Sequence, residues 1–562
     1  MRKPNTVAFR KNHQHSSCLS TVVLDRTGSH AAANILVGTL TKYVVLALNI
    51  GLGIVLMPFT VKHLGQTDYG LWMLVASMTA YFQLLDLGYG NGVVRHLVAA
   101  DRRGDADGVN RIASTFVCVY TGIALVACAA VAVIAAVVVP RFPNLTPEQV
   151  RVAQILFAIL GARVAIGFPL TVFGAVANAR QGFALNNMVA AAIVSASAAC
   201  TYVVLASGGG LLPLVAATTA VNLAGYGGYA WTAYRMMPSL RIRASYFSAV
   251  HWREVTSFSL YLFVINLAGQ ISFNVDNVVI GAFVGPAAVA VYTIALRLSE
   301  YQRRLCDQFS GMLFPVVLAF GAENDRESLK RTLIEGNRIA MALVTGASVC
   351  LVGFSGPLIT RWMGAAFAGS VMPFNVLALA GVIVVSQAVS SNVLIAAGRH
   401  RAVTWIWLGE SVLNLGLSVV LVRRMGLVGV AVGTLAPLVV GHLGIMLTAA
   451  CRAVGVPIAR CVYETVRPAA VAGAMAAGVC ALLRTARPPA STTAIVTEGA
   501  IVGLTYVASL AIAGFDGETR RVYVSQASRA ARALASAAAE VCGRRATKIE
   551  PDGPLSSTAS VP

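Results

Sequence analysis

Long runs of apolar residues recur along this chain, and they restrict it to few kinds of fold. A run of about 20 apolar residues is long enough to cross the ~30 Å hydrocarbon core of a membrane. Only 12% of the 562 residues are charged, about half of the roughly 25% found in a soluble domain. Short strands of alternating polarity, the pattern of a membrane barrel, do not occur in the sequence. We therefore predict an all-α integral membrane protein, because helices satisfy every backbone group within one segment.

Apolar windows place about fourteen membrane-spanning helices. Their ranges are 35–61, 70–94, 112–139, 152–177, 185–206, 210–234, 257–284, 287–318, 339–360, 371–397, 402–422, 427–450, 467–484 and 493–515. The predicted domains are an N-terminal tail (1–32), a lobe of six spans (33–240), a second lobe of six spans (241–455), two further spans (456–515) and a basic C-terminal tail (516–562).

The basic residues indicate how the spans are oriented. The chain has 43 Lys and Arg against 23 Asp and Glu, a formal charge of +20. If the N-terminus is cytoplasmic, both tails and every second loop collect most of this charge, as the positive-inside rule requires. Both termini are therefore expected in the cytoplasm. Because the charge lies in short loops and tails, it does not indicate a nucleic-acid partner.

The first and seventh spans follow a similar plan. Each long apolar helix ends at a glycine, Gly65 or Gly285. A short link and a tyrosine follow, Tyr69 in the first case and Tyr292 in the second. Pairing the two tyrosines implies a repeat of six spans, and parallel repeats are a transporter architecture.

Four stretches resemble one family of membrane transporters. They are LGQTDYGLWMLVASMTAYFQLLDLGYGNGVVRHLVA (64–99), VDNVVIGAFVGPAAVAVYTIALRL (275–298), LIAAGRHR (394–401) and GLVGVAVGT (426–434). Each motif is loose, and their order and spacing over residues 33–450 carry the match. The chain resembles the Wzx-type polysaccharide flippases, which share a superfamily with the MATE multidrug exporters and the lipid II flippase.

The resemblance implies a fold and an activity. The fold is two six-helix lobes in a pseudo-twofold arrangement around a central cavity, here with two additional C-terminal helices. The activity is transfer of an undecaprenyl-diphosphate-linked oligosaccharide across the bacterial inner membrane by alternating access, for O-antigen, capsule or exopolysaccharide synthesis. The implied partners are this substrate, membrane lipids, a polysaccharide polymerase and a chain-length regulator.

Polar residues inside the spans are the candidate site residues, since ionisable groups there are costly. In the second span, Gln83, Asp86, Asn91 and Arg95 fall near helical spacing and predict a polar stripe. Either the stripe lines a cavity, or Asp86 pairs with a neighbouring helix or caps a kink at Gly88 and Gly90. Arg95 lies at the end of the span, where snorkelling to the headgroups is its expected role.

The eighth span carries Arg297, Glu300, Arg304 and Gln308 at i, i+3 and i+4 spacing. Glu300 can pair with either arginine on its own helix, which leaves one arginine to meet an anionic substrate. Asp276, in the seventh span, serves either ion coupling or the balance of a nearby arginine.

Arg163 lies in the middle of a span with no acid within one helical turn. It is the leading candidate for binding a diphosphate, because its planar fork matches phosphate oxygens; a structural pair with Asp86 or Asp276 is the alternative. Lys42 precedes a long apolar run and is either a cavity residue or an ordinary cytoplasmic anchor.

The sequence indicates no catalytic or metal centre. It contains no P-loop, HExxH or GxSxG pattern, and its ten cysteines are dispersed without a CxxC pair. We expect no cofactor and no enzymatic activity. Glu410, Glu498 and His442 are intramembrane ionisable residues without an assigned partner.

Two alternative functions remain. One is a MATE-like cation-coupled multidrug exporter, and the other is a membrane-bound polysaccharide polymerase or ligase, which usually has a longer periplasmic loop.

Overall fold

A computed structural model describes residues 29–486 and 491–514. Every regular element in these ranges is helical, which confirms the all-α membrane class. The helices are α1 Ser29–Ala80, α2 Tyr89–Arg102, α3 Ala106–Val133, α4 Pro147–Ala179, α5 Phe183–Ala206, α6 Leu211–Met236, α7 Ala249–Phe283, α8 Pro286–Ala322, α9 Arg326–Gly353, α10 Ser355–Met363, α11 Val371–Ser386, α12 Ala388–Ala396, α13 His400–Leu438, α14 Leu447–Val454, α15 Ile458–Ala486 and α16 Thr492–Ser509. The C-terminal tail and most of the N-terminal tail lie outside the described residues.

Two of these helices are each interrupted by a glycine in a conformation that other residues rarely adopt. Gly65 breaks α1 with φ 79° and ψ 168°, and Gly426 breaks α13 with φ 58° and ψ −134°. A glycine lacks the Cβ that disfavours positive φ. Both helices therefore consist of two segments, close to where the sequence windows had placed boundaries between spans.

Length and composition identify ten membrane-spanning candidates among the described residues, or eleven if the bent pair Pro286–Arg304 and Cys306–Ala322 forms one span. Two of the ten, Val37–Asp86 and His400–Val454, are 50 and 55 residues long, against the ~20 residues that one crossing needs. The protein is thus a multi-pass membrane protein. The number fourteen is not confirmed and remains a prediction.

Polar caps fix several helix ends. Asp105 accepts a hydrogen bond from the backbone N–H of Gly108 at 2.7 Å, where α3 begins. Thr146 and Gln149 form a reciprocal capping box at the start of α4. Such caps satisfy backbone N–H donors that the first turn of a helix leaves without a partner. These side chains therefore fix the residues at which α3 and α4 begin.

The buried apolar clusters follow the two halves of the chain. One cluster in the first half packs Tyr89, Phe116 and Tyr120 against Phe168, with the rings of Tyr120 and Phe168 stacked at 6.0 Å. Another, around Leu329 and residues of α12 to α15, belongs wholly to the second half. A third combines α1 residues with residues from α7 to α13 and so joins the halves. The lobe boundaries at 33–240 and 241–455 remain predictions.

The residues that follow Gly65 and Gly285, where the two similar helices end, pack against each other. A Cβ added to Gly70 would clash with the backbone oxygen of Pro286. Nearby, the Asn144 amide donates to the backbone oxygen of Ala282 at 2.7 Å. Gly285, like Gly65, has positive φ. The junction between the halves therefore depends on a glycine at position 70, where no side chain fits.

The last two helices pack on the second half. Tyr506 of α16 donates to the backbone oxygen of Ala342 in α9 at 2.7 Å. Arg338 of α9 bonds both the backbone oxygen of Glu464 in α15 at 2.9 Å and its carboxylate at 3.3 Å. Buried contacts among Phe354, Ala476 and Val502 fill the space between these helices.

Candidate functional site

A cavity of about 450 Å³ lies where the second segment of α1 meets α7, α8, α11 and α13. We call it the interhalf cavity, since both halves of the chain line it. Its ionisable lining residues are Asp276, Arg297, Glu300, Arg303 and Arg304. Four of the predicted site residues, Asp276, Arg297, Glu300 and Arg304, are thus brought together here.

Glu300 forms a hydrogen bond with each of the two arginines of α8 that were predicted as site residues. Its carboxylate accepts a hydrogen bond from Arg297 at 2.9 Å and another from Arg304 at 2.5 Å. The spacing is i,i+3 and i,i+4 on one helix, so local geometry explains both pairs. Glu300 is 19% exposed, whereas Arg297 and Arg304 are 43% and 49% exposed. One carboxylate therefore faces two guanidinium groups, and this cluster carries an excess positive charge at the cavity wall.

Arg303 is a further arginine of this cavity and was not among the predicted site residues. Its guanidinium lies 4.0 Å from the carboxylate of Asp307, one helical turn later. The i,i+4 spacing of an arginine and an aspartate could have indicated this pair. Because Asp307 balances Arg303, this arginine adds less to the excess charge than the Glu300 cluster does.

Asp276 lies in an oxygen-rich cluster beside the same cavity. Its Oδ2 accepts hydrogen bonds from the Tyr292 hydroxyl at 2.6 Å and from Thr434 at 3.0 Å. Its buried Oδ1 has no hydrogen-bond partner among the described residues. Asn414 donates to Thr434 at 3.2 Å, and Ser418 donates to Asn414 at 3.3 Å. Carboxylate, hydroxyl and amide oxygens of this kind are ligands for hard cations.

A second, larger cavity lies within the first half of the chain. It has a volume of about 1390 Å³ and lies between the beginning of α1, α2, the end of α4, the beginning of α5, and α6. We call it the first-half cavity. Lys42 lines it and is exposed. Lys42 is therefore not among the lining residues of the interhalf cavity, which α1 lines with residues of its second segment, from Met73 to Ala80.

Arg163 lines neither cavity. It is half-buried and close enough to Tyr226 for an electrostatic interaction. Tyr226 lines the first-half cavity, and its hydroxyl packs against Gly167, one turn along α4 from Arg163. Within the described parts of the chain, neither Asp86 nor Asp276 forms an ion pair with Arg163. Its assignment to a diphosphate remains a prediction.

The predicted polar stripe of the second span is not one continuous helix. Residues Tyr81–Asp86 form a 3₁₀ turn, and Leu87 and Gly88 have φ values of 50° and 76°. Asp86 accepts a hydrogen bond from the Gly90 N–H at 3.3 Å, where α2 starts, and another from Tyr120 at 2.5 Å. These contacts support the kink-capping interpretation of Asp86. The side chain of Asn91 lies outside the described residues.

Glu410 and His442, which had no predicted partner, contact each other. Glu410 Oε1 and His442 Nδ1 are 2.7 Å apart, and each side chain is 8% exposed. A Cβ on Gly441 would clash with the same carboxylate. The pair joins α13 to the π-helical segment Val439–Met446. No sequence signal indicated it, because 32 residues separate the two positions.

No group of three or more His, Cys, Asp or Glu in the described ranges is arranged to hold a metal ion.

Comparison with known proteins gives a family match over half of the chain. Residues 35–319 match the family described as "Polysaccharide biosynthesis protein". The uncharacterized membrane protein EpsK of Bacillus subtilis (strain 168) is 24% identical over 332 residues. That alignment covers 57% of this chain and 63% of EpsK, so the match spans less than two thirds of that relative's length.

Solved transporter structures share the fold. The lipid II flippase MurJ in an inward closed conformation superposes with a TM-score of 0.66 at 14% identity, over 85% of this chain and 98% of MurJ. An inward-facing multidrug resistance MATE family transporter gives a TM-score of 0.63 at 15% identity, over 76% and 99% of the two chains. The outward-facing conformation of a MATE family transporter gives 0.56 at 15% identity, over 77% and 97%. A MurJ- and MATE-like fold is therefore confirmed, while identities this low establish the fold alone.

Proposed function

Because this chain belongs to the polysaccharide biosynthesis protein family, we propose that it is a flippase for undecaprenyl-diphosphate-linked oligosaccharides. In this proposal it works in the bacterial inner membrane by alternating access, with both termini in the cytoplasm. It carries the substrate from the cytoplasmic to the periplasmic leaflet. The product supplies O-antigen, capsule or exopolysaccharide synthesis.

The observation that carries the proposal is the arginine–glutamate cluster in the interhalf cavity. Arg297 and Arg304 share one carboxylate, which leaves this cluster one positive charge for an anion. Asp276, the other acid of the lining, offsets that charge when it is ionised and no longer does so when it holds a proton or a cation. A guanidinium presents several N–H donors in a plane and binds phosphate oxygens in a bidentate manner. A diphosphate that lost its water in hydrocarbon would face a large desolvation penalty, and the two arginines replace part of that water.

The cavity's position between the halves suits transport. Its walls come from α1 on one side and from α7, α8, α11 and α13 on the other, so a rocking motion of the halves changes which end is open. The polyprenyl chain stays in lipid and needs no cavity. With a negative cytoplasm, each net negative charge that moves outward gains about 2.3 kcal/mol per 100 mV.

We assign Asp276 to ion coupling. Its Oδ1 has no hydrogen-bond partner among the described residues, while its Oδ2 accepts from Thr434, so this carboxylate can take up a proton or a small cation beside the substrate cavity. An Asp276→Asn variant should keep anion binding and lose the dependence of transport on an ion gradient. If transport by this variant follows the gradient as in the wild type, the assignment is wrong.

The competing functions fit these features less well. A multidrug exporter for organic cations requires an acidic site, and residues 35–61 contain no Asp or Glu, while the interhalf cluster has an arginine excess. The MATE-like fold alone does not favour that function, since unrelated substrates share one fold. A polymerase or ligase would require a catalytic constellation, and the described residues of the two cavities present none of the arrangements expected for one.

Depletion of the protein in cells tests the proposal. We expect lipid-linked oligosaccharide to accumulate in the cytoplasmic leaflet, where an impermeant glycan-modifying enzyme added to the periplasmic side cannot reach it. Accumulation in the periplasmic leaflet would instead place the protein after translocation, as an enzyme of polymerisation or ligation. Complementation with the Arg297→Gln, Arg304→Gln double variant should fail, whereas complementation with the exposed-site variant Arg331→Gln should succeed.

A further inference from the structure

The first-half cavity is a separate place for a ligand. It shares no lining residue with the interhalf cavity, and all its lining residues lie between positions 38 and 236. Its volume of about 1390 Å³ exceeds the roughly 300–1,000 Å³ of most small-molecule sites. A ligand that fills it is therefore larger than a single ion or metabolite.

Arg180 builds the rim of this cavity. Its guanidinium bonds Asp101 of α2 at 2.7 Å and the backbone oxygen of Met236 in α6 at 2.9 Å. One side chain thus ties together the ends of three helices, α2, α4 and α6. Because Arg180 and Asp101 neutralise each other, neither contributes net charge to a ligand.

Two other cations of the lining are not neutralised in this way. Lys42 and Arg102 both line the cavity, and both are exposed. Within residues 29–486 and 491–514, neither forms an ion pair with an acidic side chain. Two unneutralised cations on an otherwise neutral wall attract an anion, and a wall of low polarity strengthens that attraction.

The rest of the lining is neutral and mixes polar with apolar groups. Tyr226 and Tyr229 present hydroxylated rings, and Asn187 and Thr171 add an amide and a hydroxyl. The Asn187 amide nitrogen is held by the backbone oxygen of Gly38 and by Thr41, both at 2.9 Å. The valines of α2 supply the apolar part. This combination suits a ligand with a charged group, hydroxyl groups and an adjoining hydrocarbon part.

Two of the cations lie where helices end, whereas Lys42 lies inside α1. Arg102 is in the last turn of α2, and Arg180 follows the last residue of α4. Membrane-spanning helices end at the headgroup region of a leaflet. The rim of the cavity therefore lies at the depth where lipid phosphates are found.

We propose that the first-half cavity binds the phosphate-bearing head of a membrane lipid, with Lys42 and Arg102 as its anion contacts. Such a head belongs either to a lipid-linked glycan or to an anionic phospholipid, and the experiment below separates the two. Only the identification with a lipid-linked glycan rests on the proposed function. Binding of a phosphate head here does not require that the protein transports anything.

The test measures lipid affinity of the purified full-length protein by native mass spectrometry. The titrated lipids are undecaprenyl diphosphate, dioleoylphosphatidylglycerol and dioleoylphosphatidylcholine. The Lys42→Gln, Arg102→Gln double variant should bind the anionic lipid at least about tenfold more weakly than the wild type, as expected when a charge-assisted contact is lost. The Lys42→Arg, Arg102→Lys variant keeps both charges and should retain binding, which shows that the loss is not due to misfolding.

A matched control removes Arg399 and Arg401, two exposed basic residues of the second half, and should leave the affinity unchanged. If only undecaprenyl diphosphate depends on Lys42 and Arg102, the ligand is the lipid-linked carrier; if phosphatidylglycerol depends on them equally, it is an anionic phospholipid. Equal affinity of wild type and Gln variant for both anionic lipids overturns the proposal, as does equally tight binding of phosphatidylcholine. The Arg297→Gln, Arg304→Gln variant should keep this binding, so failure of the flippase proposal is distinguishable from failure of this one.

Discussion

Replacing Glu300 by glutamine should increase the net positive charge of the arginine–glutamate cluster in the interhalf cavity, because it removes the only carboxylate of that cluster. Glu300 lies 2.9 Å from Arg297 and 2.5 Å from Arg304 and accepts a hydrogen bond from both. Glutamine keeps the shape of the side chain and loses its charge. The two guanidinium groups then face the cavity, and each other, without this counter-charge. We expect a less stable protein that binds anions more strongly.

The size of the effect follows from the exposure of the three side chains. Breaking a buried ion pair by removing one partner costs about 3–5 kcal/mol, whereas an exposed pair contributes about 0.2–1 kcal/mol. Glu300 is 19% exposed, but Arg297 and Arg304 are 43% and 49% exposed. Because both arginines reach the space of the cavity, water screens part of their charge. We therefore expect a loss of about 1–3 kcal/mol in the free energy of unfolding.

The assay is thermal unfolding of purified full-length protein with and without pyrophosphate. A ligand at about 100 times its dissociation constant stabilises the folded state by about 2.7 kcal/mol, so pyrophosphate should restore most of the stability that Glu300→Gln loses. Glu335→Gln, which removes the exposed partner of Arg331 at 2.9 Å, is the control and should lose less than about 1 kcal/mol. The reasoning is refuted if Glu300→Gln melts like the wild type, or if pyrophosphate stabilises both proteins equally.

Two further substitutions test the packing. Gly70→Ala should destabilise the protein by about 1–3 kcal/mol, because its Cβ would clash with the backbone oxygen of Pro286. Gly122→Ala, with nothing within 4 Å of the added Cβ, is the control, and equal melting temperatures for the two variants would contradict the close approach. Glu410→Ala should cost about 1–3 kcal/mol by leaving the buried His442 without its hydrogen-bond partner, whereas Glu410→Gln should cost less because an amide still bonds the imidazole. Thermal unfolding that ranks these two variants in the reverse order would count against a structural pair.

The sequence predicted the features that depend on local spacing or on apolar length. The all-helical membrane class followed from the length of apolar runs. The i,i+3 and i,i+4 positions on one helix predicted that Glu300 pairs with Arg297 or with Arg304, and the structure pairs it with both, so the expectation of one free arginine was wrong. The resemblance in the sequence motifs correctly indicated the family and a fold like that of MurJ and MATE transporters.

The features that depend on contacts between distant residues could not be predicted. The hydrogen bond from Thr434 to Asp276 joins positions 158 residues apart, and no local sequence pattern predicts it. The placement of Lys42 in a cavity apart from Arg297 depends on how α1 crosses the first half. The kink at Gly88 was considered, but the sequence alone could not decide whether Asp86 caps it or faces a cavity, since that choice depends on Tyr120 of another helix.

The central claim is that the interhalf cavity carries a diphosphate-linked glycan across the membrane. Its most direct test is translocation of a fluorescent undecaprenyl-diphosphate oligosaccharide in proteoliposomes, read as the fraction that an impermeant quencher reaches over time. We predict that wild-type protein moves the lipid between leaflets and that the Arg297→Gln, Arg304→Gln variant does not, although it folds and inserts normally. Equal translocation by the two proteins, or none by the wild type under an imposed potential, would contradict the account.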